Sequence, residues 1–101
     1  MIDRQLRDPL GRQIMLCDRT WFGHIVRGHP EMSAERDRVE AAIERPHEIR
    51  VSRADPNCRL YFGAGPRKET RIVVVVDVRL AIVKTTHLAR RVSGGDVEWP
   101  S

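Results

Sequence analysis

Apolar and polar positions divide the chain into a helical first half and a strand-rich second half. Asp18 is a good N-cap for a helix over residues 19–28. Within that helix, four apolar residues recur at the spacing of a core-facing stripe: Trp21, Phe22, Ile25 and Val26. His29 precedes Pro30, which disfavours the α conformation and is expected to end the helix near Gly28.

A second helix is predicted from Pro30 or Ser33 to Arg45, where Pro46 stops it. Its apolar stripe is narrower than that of the first helix and consists of Met32, Val39, Ala42 and Ile43. A narrow stripe indicates a helix that buries one side and leaves the other in solvent.

Apolar runs rich in β-branched residues predict the strands. The turn Asp8-Pro9-Leu10-Gly11 joins two short arms, residues 2–7 and 12–17, in an N-terminal hairpin. After the helices, four further strands are predicted: residues 47–53, 58–63, 71–78 and 80–87. The third of these is nearly continuous in Val, which is typical of a central strand covered on both faces.

Together these elements predict an α+β fold. Two N-terminal helices pack on a four-stranded, mostly antiparallel sheet, and the short N-terminal hairpin precedes them. Residues 1–91 are expected to form this single domain. Residues 92–101, which contain Gly94-Gly95, are expected to form a flexible, loosely held tail.

Composition excludes several classes of protein. A chain of 101 residues suffices for one compact domain and is too short for two. No stretch approaches the roughly 18 apolar residues of a membrane span, and the N-terminus lacks the apolar segment of a secretory signal. Cys17 and Cys58 are too few for a disulfide scaffold. We therefore expect a cytoplasmic protein with no membrane partner.

Positive charge is concentrated in the second half of the chain. Residues 45–91 contain nine Arg and two Lys against four acidic residues, a net charge of +7, whereas the whole chain carries +4. Clustered Arg is typical of surfaces that bind the phosphate oxygens of nucleic acids. The alternative is a solvated Arg-rich surface without such a partner.

Two histidines lie towards the end of the first predicted helix. His24 lies at the edge of the apolar stripe, where a half-buried imidazole is sensitive to its surroundings near neutral pH. His29 stands beside Pro30 and Glu31, and Glu31 is placed to orient it. A metal site is disfavoured, because five residues of helix turn the two rings about 140° apart. The alternative to a chemical role is that both histidines brace the corner between the helices.

Polar side chains also interrupt the predicted strands. Alternation places Arg59 and Tyr61 on one face of their strand, while Lys84 and Thr86 alternate with His87 in the last strand. If the opposite face of the sheet meets the helices, four polar residues share an open face: Arg59, Tyr61, Lys84 and Thr86. If their own face meets the helices, the same four residues share a partly buried cleft. Protection of an edge strand against aggregation explains Lys84 better than it explains Thr86 and His87.

Several of these residues belong to one recognisable pattern. Its most specific part is the phrase Trp-x-x-His-Ile-x-x-x-His-Pro-Glu at residues 21–31; further matches are Asp8, Gly11-Arg12, Leu16, Ile43, Pro46, Ile49, Tyr61 and a Val-rich strand ending in Thr-Thr-His. From residue 8 to residue 91, the chain resembles the phage- and toxin-associated nuclease-like domains of the barnase/EndoU/colicin/RelE superfamily. The resemblance implies N-terminal helices followed by a four-stranded antiparallel sheet.

The resemblance also implies a toxin-like, metal-independent endoribonuclease without a cofactor, in which a ribose 2′-hydroxyl attacks the adjacent phosphate. His24 is expected to be the acid/base residue, with His29 or His87 as its partner. Arg59 and Lys84 would hold the phosphate, and Tyr61 would stack on a base or donate a hydrogen bond. The catalytic candidates are therefore His24, His29, Lys84, Thr86 and His87, and the candidate nucleic-acid contacts are Arg53, Arg59, Tyr61 and Arg71.

The expected partners are RNA, including ribosome-bound RNA or tRNA, and an acidic antitoxin or immunity protein that covers the basic surface. The alternative function is a non-catalytic RNA-binding or partner-binding module on the same fold, a phage or toxin–antitoxin accessory. The enzyme is favoured if His24, a second titratable group and a cation converge in one cleft. The module is favoured if His24 is fully buried and hydrogen-bonded.

Overall fold

A computed structural model describes residues 3–101, which form one curled sheet with two helices packed on it. The sheet has seven strands in the order β1-β2-β6-β5-β4-β3-β7. Their bounds are β1 Arg4–Arg7, β2 Gln13–Leu16, β3 Glu48–Val51, β4 Cys58–Ala64, β5 Arg71–Asp77, β6 Ile82–Ala89 and β7 Val97–Trp99. All neighbouring strands in the described residues pair antiparallel except β2 and β6.

The first helix is irregular. It consists of an α-helical turn, a π-helical segment and a second α-helical turn: Asp18–Thr20, Trp21–Ile25 and Val26–Gly28. A turn of π-helix takes more residues than an α-turn. Trp21 and Ile25 consequently share the buried side, whereas Phe22 is 51% exposed. The prediction that Phe22 belongs to the core stripe is wrong, and the predicted end at Gly28 is confirmed.

A 3-10 turn at Pro30–Met32 leads into the second helix, Arg36–Glu44. Three of the four residues in its predicted stripe lie within it and are buried: Val39, Ala42 and Ile43. The helix packs closely on β4, where a Cβ atom added to Gly63 would lie 2.7 Å from the Ala42 Cβ atom. Glycine at this position therefore allows the close approach between helix and sheet.

The core lies between the helices and one face of the sheet. Its largest fully buried side chains are Trp21, Tyr61, Leu6, Ile14, Leu16, Ile25, Met32, Ile43, Ile49, Ile72 and Val39. Leu6, Ile14 and Leu16 come from the N-terminal hairpin, so β1 and β2 are part of the domain core.

The predicted four-stranded, mostly antiparallel sheet with two N-terminal helices is wrong. The sheet has seven strands and is mixed, because the N-terminal hairpin and the C-terminal segment both belong to it. The hairpin joins the sheet through a parallel pairing of β2 with β6, at Met15 and Ile82. Because that pairing connects segments distant in the chain, no local pattern signals it. The predicted first arm begins at Ile2, which lies outside the described residues.

The C-terminal segment is also part of the sheet. Residues 92–101 were expected to form a loosely held tail, but β7 pairs antiparallel with β3, with Arg50 opposite Val97 and Ile49 opposite Trp99. Gly94 has a φ of +115° and lies against Leu60 and Arg50. The two glycines therefore shape a turn into an edge strand rather than mark the end of the domain.

Candidate functional site

Two of the predicted catalytic histidines meet where the first helix ends beside β6. The ring centroids of His29 and His87 lie 6.1 Å apart. The first helix ends before His29, because Pro30 disfavours the α conformation at the residue that precedes it. His29 has a φ of −136° and a ψ of 76°, which are not helical angles. Glu31 Oε2 lies 3.6 Å from His29 Nδ1, a distance within the range of an ion pair and longer than a hydrogen bond.

His87 is partly shielded from solvent on β6. Burial lowers the pKa of His87, the nearby charge of His29 lowers it further, and the charge of Glu31 acts in the opposite direction. His87 therefore favours its neutral form, which accepts a proton, more strongly than an exposed histidine does.

The strand register places Arg71 beside this pair. His87 is opposite Val73, and Ala89 is opposite Arg71. Because alternate residues of a strand point to the same face, Arg71 and His87 lie on one face as diagonal neighbours. The two imidazoles thus come from the end of the first helix and from β6, and Arg71 lies on β5 diagonal to His87.

His24 is not part of this cluster. It lies in the π-helical segment of the first helix and is exposed. Within residues 3–101, no hydrogen bond, ion pair or ring contact joins it to another side chain. The enzyme was to be favoured by a second titratable group beside His24, and in residues 3–101 no such contact is present. The binding module was to be favoured by burial of His24, and His24 is exposed.

Lys84 and Thr86 also lie apart from the histidine pair. Val76 is opposite Val83 and Val75 is opposite Thr85, so Lys84 forms a bulge in β6 without a cross-strand partner. Its side chain is exposed. Thr86 is 0% exposed on the helix-facing side, and its hydroxyl donates to the Val73 carbonyl at 2.7 Å. The position of Thr86 indicates a structural role.

Tyr61 and Arg59 belong to a polar network inside the curl of the sheet. The Tyr61 hydroxyl donates to Asp8 and accepts a bond from Arg12 Nη2 at 3.1 Å. Arg12 also donates to Asp8 Oδ2 at 2.7 Å and to Glu98 Oε1 at 2.6 Å. Arg59 Nε donates to Glu98 Oε2 at 2.7 Å. Since Tyr61 is 0% exposed, it is not placed to stack on a base.

Hydrogen bonds in this network keep Asp8 and Glu98 ionised and Tyr61 neutral. Burial by itself raises the pKa values of Asp8 and Glu98, but hydrogen bonds outweigh it and leave both values below the ordinary range. Those bonds come from Tyr61 and Arg12 to Asp8, and from Arg12 and Arg59 to Glu98. Burial and the bond to Asp8 raise the pKa of Tyr61, which stays protonated. The network is satisfied and structural.

The remaining predicted contact, Arg53, is exposed in the connection after β3. The sequence motifs did not indicate the partners of Arg12 and Glu98, which bind each other and also contact Tyr61 and Arg59. A charge next to the Asp8–Gly11 turn was the available signal for Arg12; nothing local to Glu98 indicated its partners.

Other kinds of site receive no support from the described residues. Within residues 3–101, no three His, Cys, Asp or Glu side chains group as they would around a metal ion. None of the helices in the same range is both long and apolar enough to span a membrane.

Comparison with known proteins adds no family. No protein-family model, curated protein or solved structure matches this chain. The resemblance to the nuclease-like superfamily therefore rests on the motif residues themselves.

Proposed function

We propose that the protein is a small, metal-independent endoribonuclease whose reacting pair is His29 and His87. One observation carries the proposal: the two imidazoles stand 6.1 Å apart, and Arg71 lies diagonal to His87 on the same face of the sheet. Cleavage by a 2′-hydroxyl requires a base for that hydroxyl, an acid for the leaving 5′-oxygen and a cation for the charge on phosphorus. These three groups can supply all three functions.

The roles follow from the surroundings of each ring. His87, with its lowered pKa, is the base that takes the proton from the 2′-hydroxyl. His29, oriented by Glu31, is the acid that gives a proton to the 5′-oxygen. The 2′-oxygen bonds to phosphorus as the phosphorus–5′-oxygen bond breaks, leaving a 2′,3′-cyclic phosphate and a 5′-hydroxyl. Arg71 stabilises the pentacoordinate phosphate.

The test is cleavage of a labelled RNA pool in EDTA by the wild type, His29→Ala, His87→Ala and His24→Ala. His24→Ala is the matched control because it removes an exposed histidine of the first helix that does not contact the pair. We expect the His29 and His87 variants to lose about 10²- to 10⁴-fold in rate while His24→Ala retains wild-type activity. Circular dichroism shows whether each variant is folded. Full activity of folded His87→Ala, or loss of activity in His24→Ala, contradicts the assigned pair.

A non-catalytic RNA-binding module is the second candidate. It is favoured by exposed cations with no acidic partner in the described residues, among them Arg45, Arg67 and Arg90, which need no catalytic group to bind RNA. An acidic protein that covers these cations would inhibit either function. Salt-sensitive RNA binding without cleavage by the wild type selects the module over the enzyme.

A further inference from the structure

The connection between β4 and β5 forms one wall of a basic cavity of about 470 Å³. This volume lies within the range of ligand pockets, about 300–1,000 Å³. Its charged and titratable lining residues are His47, Arg67, Lys68, Glu69, Arg71 and Arg90. Four cations against one carboxylate give the lining a net charge of +3 with His47 neutral. We call this cavity the hairpin pocket.

None of the four cations in the hairpin pocket forms an ion pair within residues 3–101. Other arginines without an ion pair in the described residues, such as Arg19 and Arg79, are exposed and do not line this cavity. In the hairpin pocket, by contrast, four cations border one concavity. Four cations around one concavity make the local potential positive, which favours the binding of an anion there.

The wall of the hairpin pocket is held in one conformation. Gly65 N–H donates to the Thr70 carbonyl at 3.0 Å, and Thr70 N–H donates to the Arg67 carbonyl at 3.0 Å. The Thr70 hydroxyl accepts a bond from Arg67 N–H at 3.0 Å. A Cβ atom at Gly65 would lie 2.3 Å from Thr70 Oγ1, so glycine is needed for this closure. Binding therefore requires little ordering of the backbone that carries Arg67 and Lys68.

The hairpin pocket continues in two directions. A smaller cavity of about 140 Å³ shares His47 and Ala64 with it and extends along the second helix to Arg45. In the other direction, Arg71 lines the hairpin pocket and is also the diagonal neighbour of His87. A basic path thus leads from the second helix, through the hairpin pocket, to the histidine pair.

We propose that the hairpin pocket binds backbone phosphates of a single-stranded RNA, next to the phosphate held between His29 and His87. The position of that neighbouring phosphate rests on the proposed function, whereas phosphate binding in the pocket does not. Arginine forks suit phosphate oxygens. Within the described residues, no Phe, Tyr or Trp lines the cavity to stack on bases, so recognition is of the backbone and independent of base sequence.

Binding is measured with a fluorescent 2′-O-methyl oligouridylate of about ten nucleotides, which keeps the phosphates and cannot be cleaved. The variants are Arg67→Ala/Lys68→Ala and the matched control Arg19→Ala/Arg79→Ala, which has the same net charge. We expect the pocket variant to bind about tenfold or more weakly than the control at low salt. The slope of log K against log salt should also fall by about 0.7 for each phosphate that the variant no longer neutralises.

Each further outcome decides the proposal. Equal affinities and slopes for the pocket variant and the control overturn it, as does a clear preference for duplex RNA of the same length. Equally tight binding of polyglutamate overturns it in favour of an acidic protein ligand. If the pocket variant loses binding while His29→Ala and His87→Ala cleave normally, the pocket is supported and the proposed function fails. The reverse pattern overturns the pocket alone.

Discussion

At the scale of single residues, the histidines differ in exposure and in contacts, and these differences do not follow from their positions in the sequence. His24 and His29 stand five residues apart in one motif, yet His24 is exposed without a ring contact in the described residues, whereas His29 faces His87. His87 is partly buried, and burial disfavours its charged form. A histidine with these properties affects the stability of the protein as well as its chemistry.

We expect His87 to make the protein less stable as the pH falls from neutrality. Its folded pKa is below the unfolded value of about 6.5, so the unfolded chain binds more protons between those two values. The stabilising contribution of neutral His87 is therefore complete above the unfolded pKa and is lost as pH falls through the folded pKa. Urea unfolding at several pH values should show that stability depends less steeply on pH in His87→Gln than in the wild type. Identical profiles for the two proteins would contradict this assignment.

At the scale of elements, the close contact between the second helix and β4 positions the wall of the hairpin pocket. Gly63 lies under Ala42, and Ala64 follows directly and lines the hairpin pocket. The sequence pattern predicted the helix and the strand but not the distance between them. That distance depends on which small residues of the helix and the strand are in contact. Alternation identified the faces of β4, and only packing shows why one of its positions is glycine.

Gly63→Ala should destabilise the protein by about 1–3 kcal/mol, because the added Cβ atom would overlap Ala42 and force the helix to move. Gly23→Ala is the matched control, since no atom lies within 4 Å of its added Cβ atom. There the greater helix propensity of alanine should stabilise by up to about 1 kcal/mol. Chemical denaturation measures both. Equal effects of the two substitutions would show that the predicted overlap is relieved without cost.

At the scale of the whole molecule, Glu98 connects distant parts of the curled sheet. It binds Arg12 in the connection from β1 to β2 and Arg59 in β4, while its own strand lies at the opposite edge from β1. Both carboxylate oxygens accept charge-assisted bonds, which are stronger than neutral ones. The last residues of the chain therefore hold the curl of the sheet.

Glu98→Gln should lower the free energy of unfolding by about 1–3 kcal/mol at neutral pH, because it removes the charge that both arginines bind. Asp96→Asn, an exposed change in the same segment, is the control and should have little effect. The folded pKa of Glu98 is lowered, so the difference from wild type should be present above the unfolded pKa, about 4.3, and shrink as pH falls below it. A variant as stable as the control would mean that the sheet curls without this contact.

Some of the candidate site was predictable from the sequence. The motif identified His29 and its neighbour Glu31, and the strand pattern identified His87 and Arg71 as polar residues of interest. Their association was not predictable, because it requires the end of the first helix to lie beside β6. Assigning Tyr61 to base stacking failed for the same reason: alternation gives a face, and only the curl of the sheet determines whether that face is buried.

The sequence by itself determined the local structure. The turn at residues 8–11 forms, with Gly11 at a φ of +86°, and Pro30 sets the end of the first helix. These features depend on neighbouring residues, whose backbone preferences act wherever the chain lies. Tertiary structure alone decided the parallel pairing of β2 with β6, the edge position of β7 and the meeting of His29 with His87. Each of these joins residues far apart in the chain, and their contact is set by the packing of one shared core.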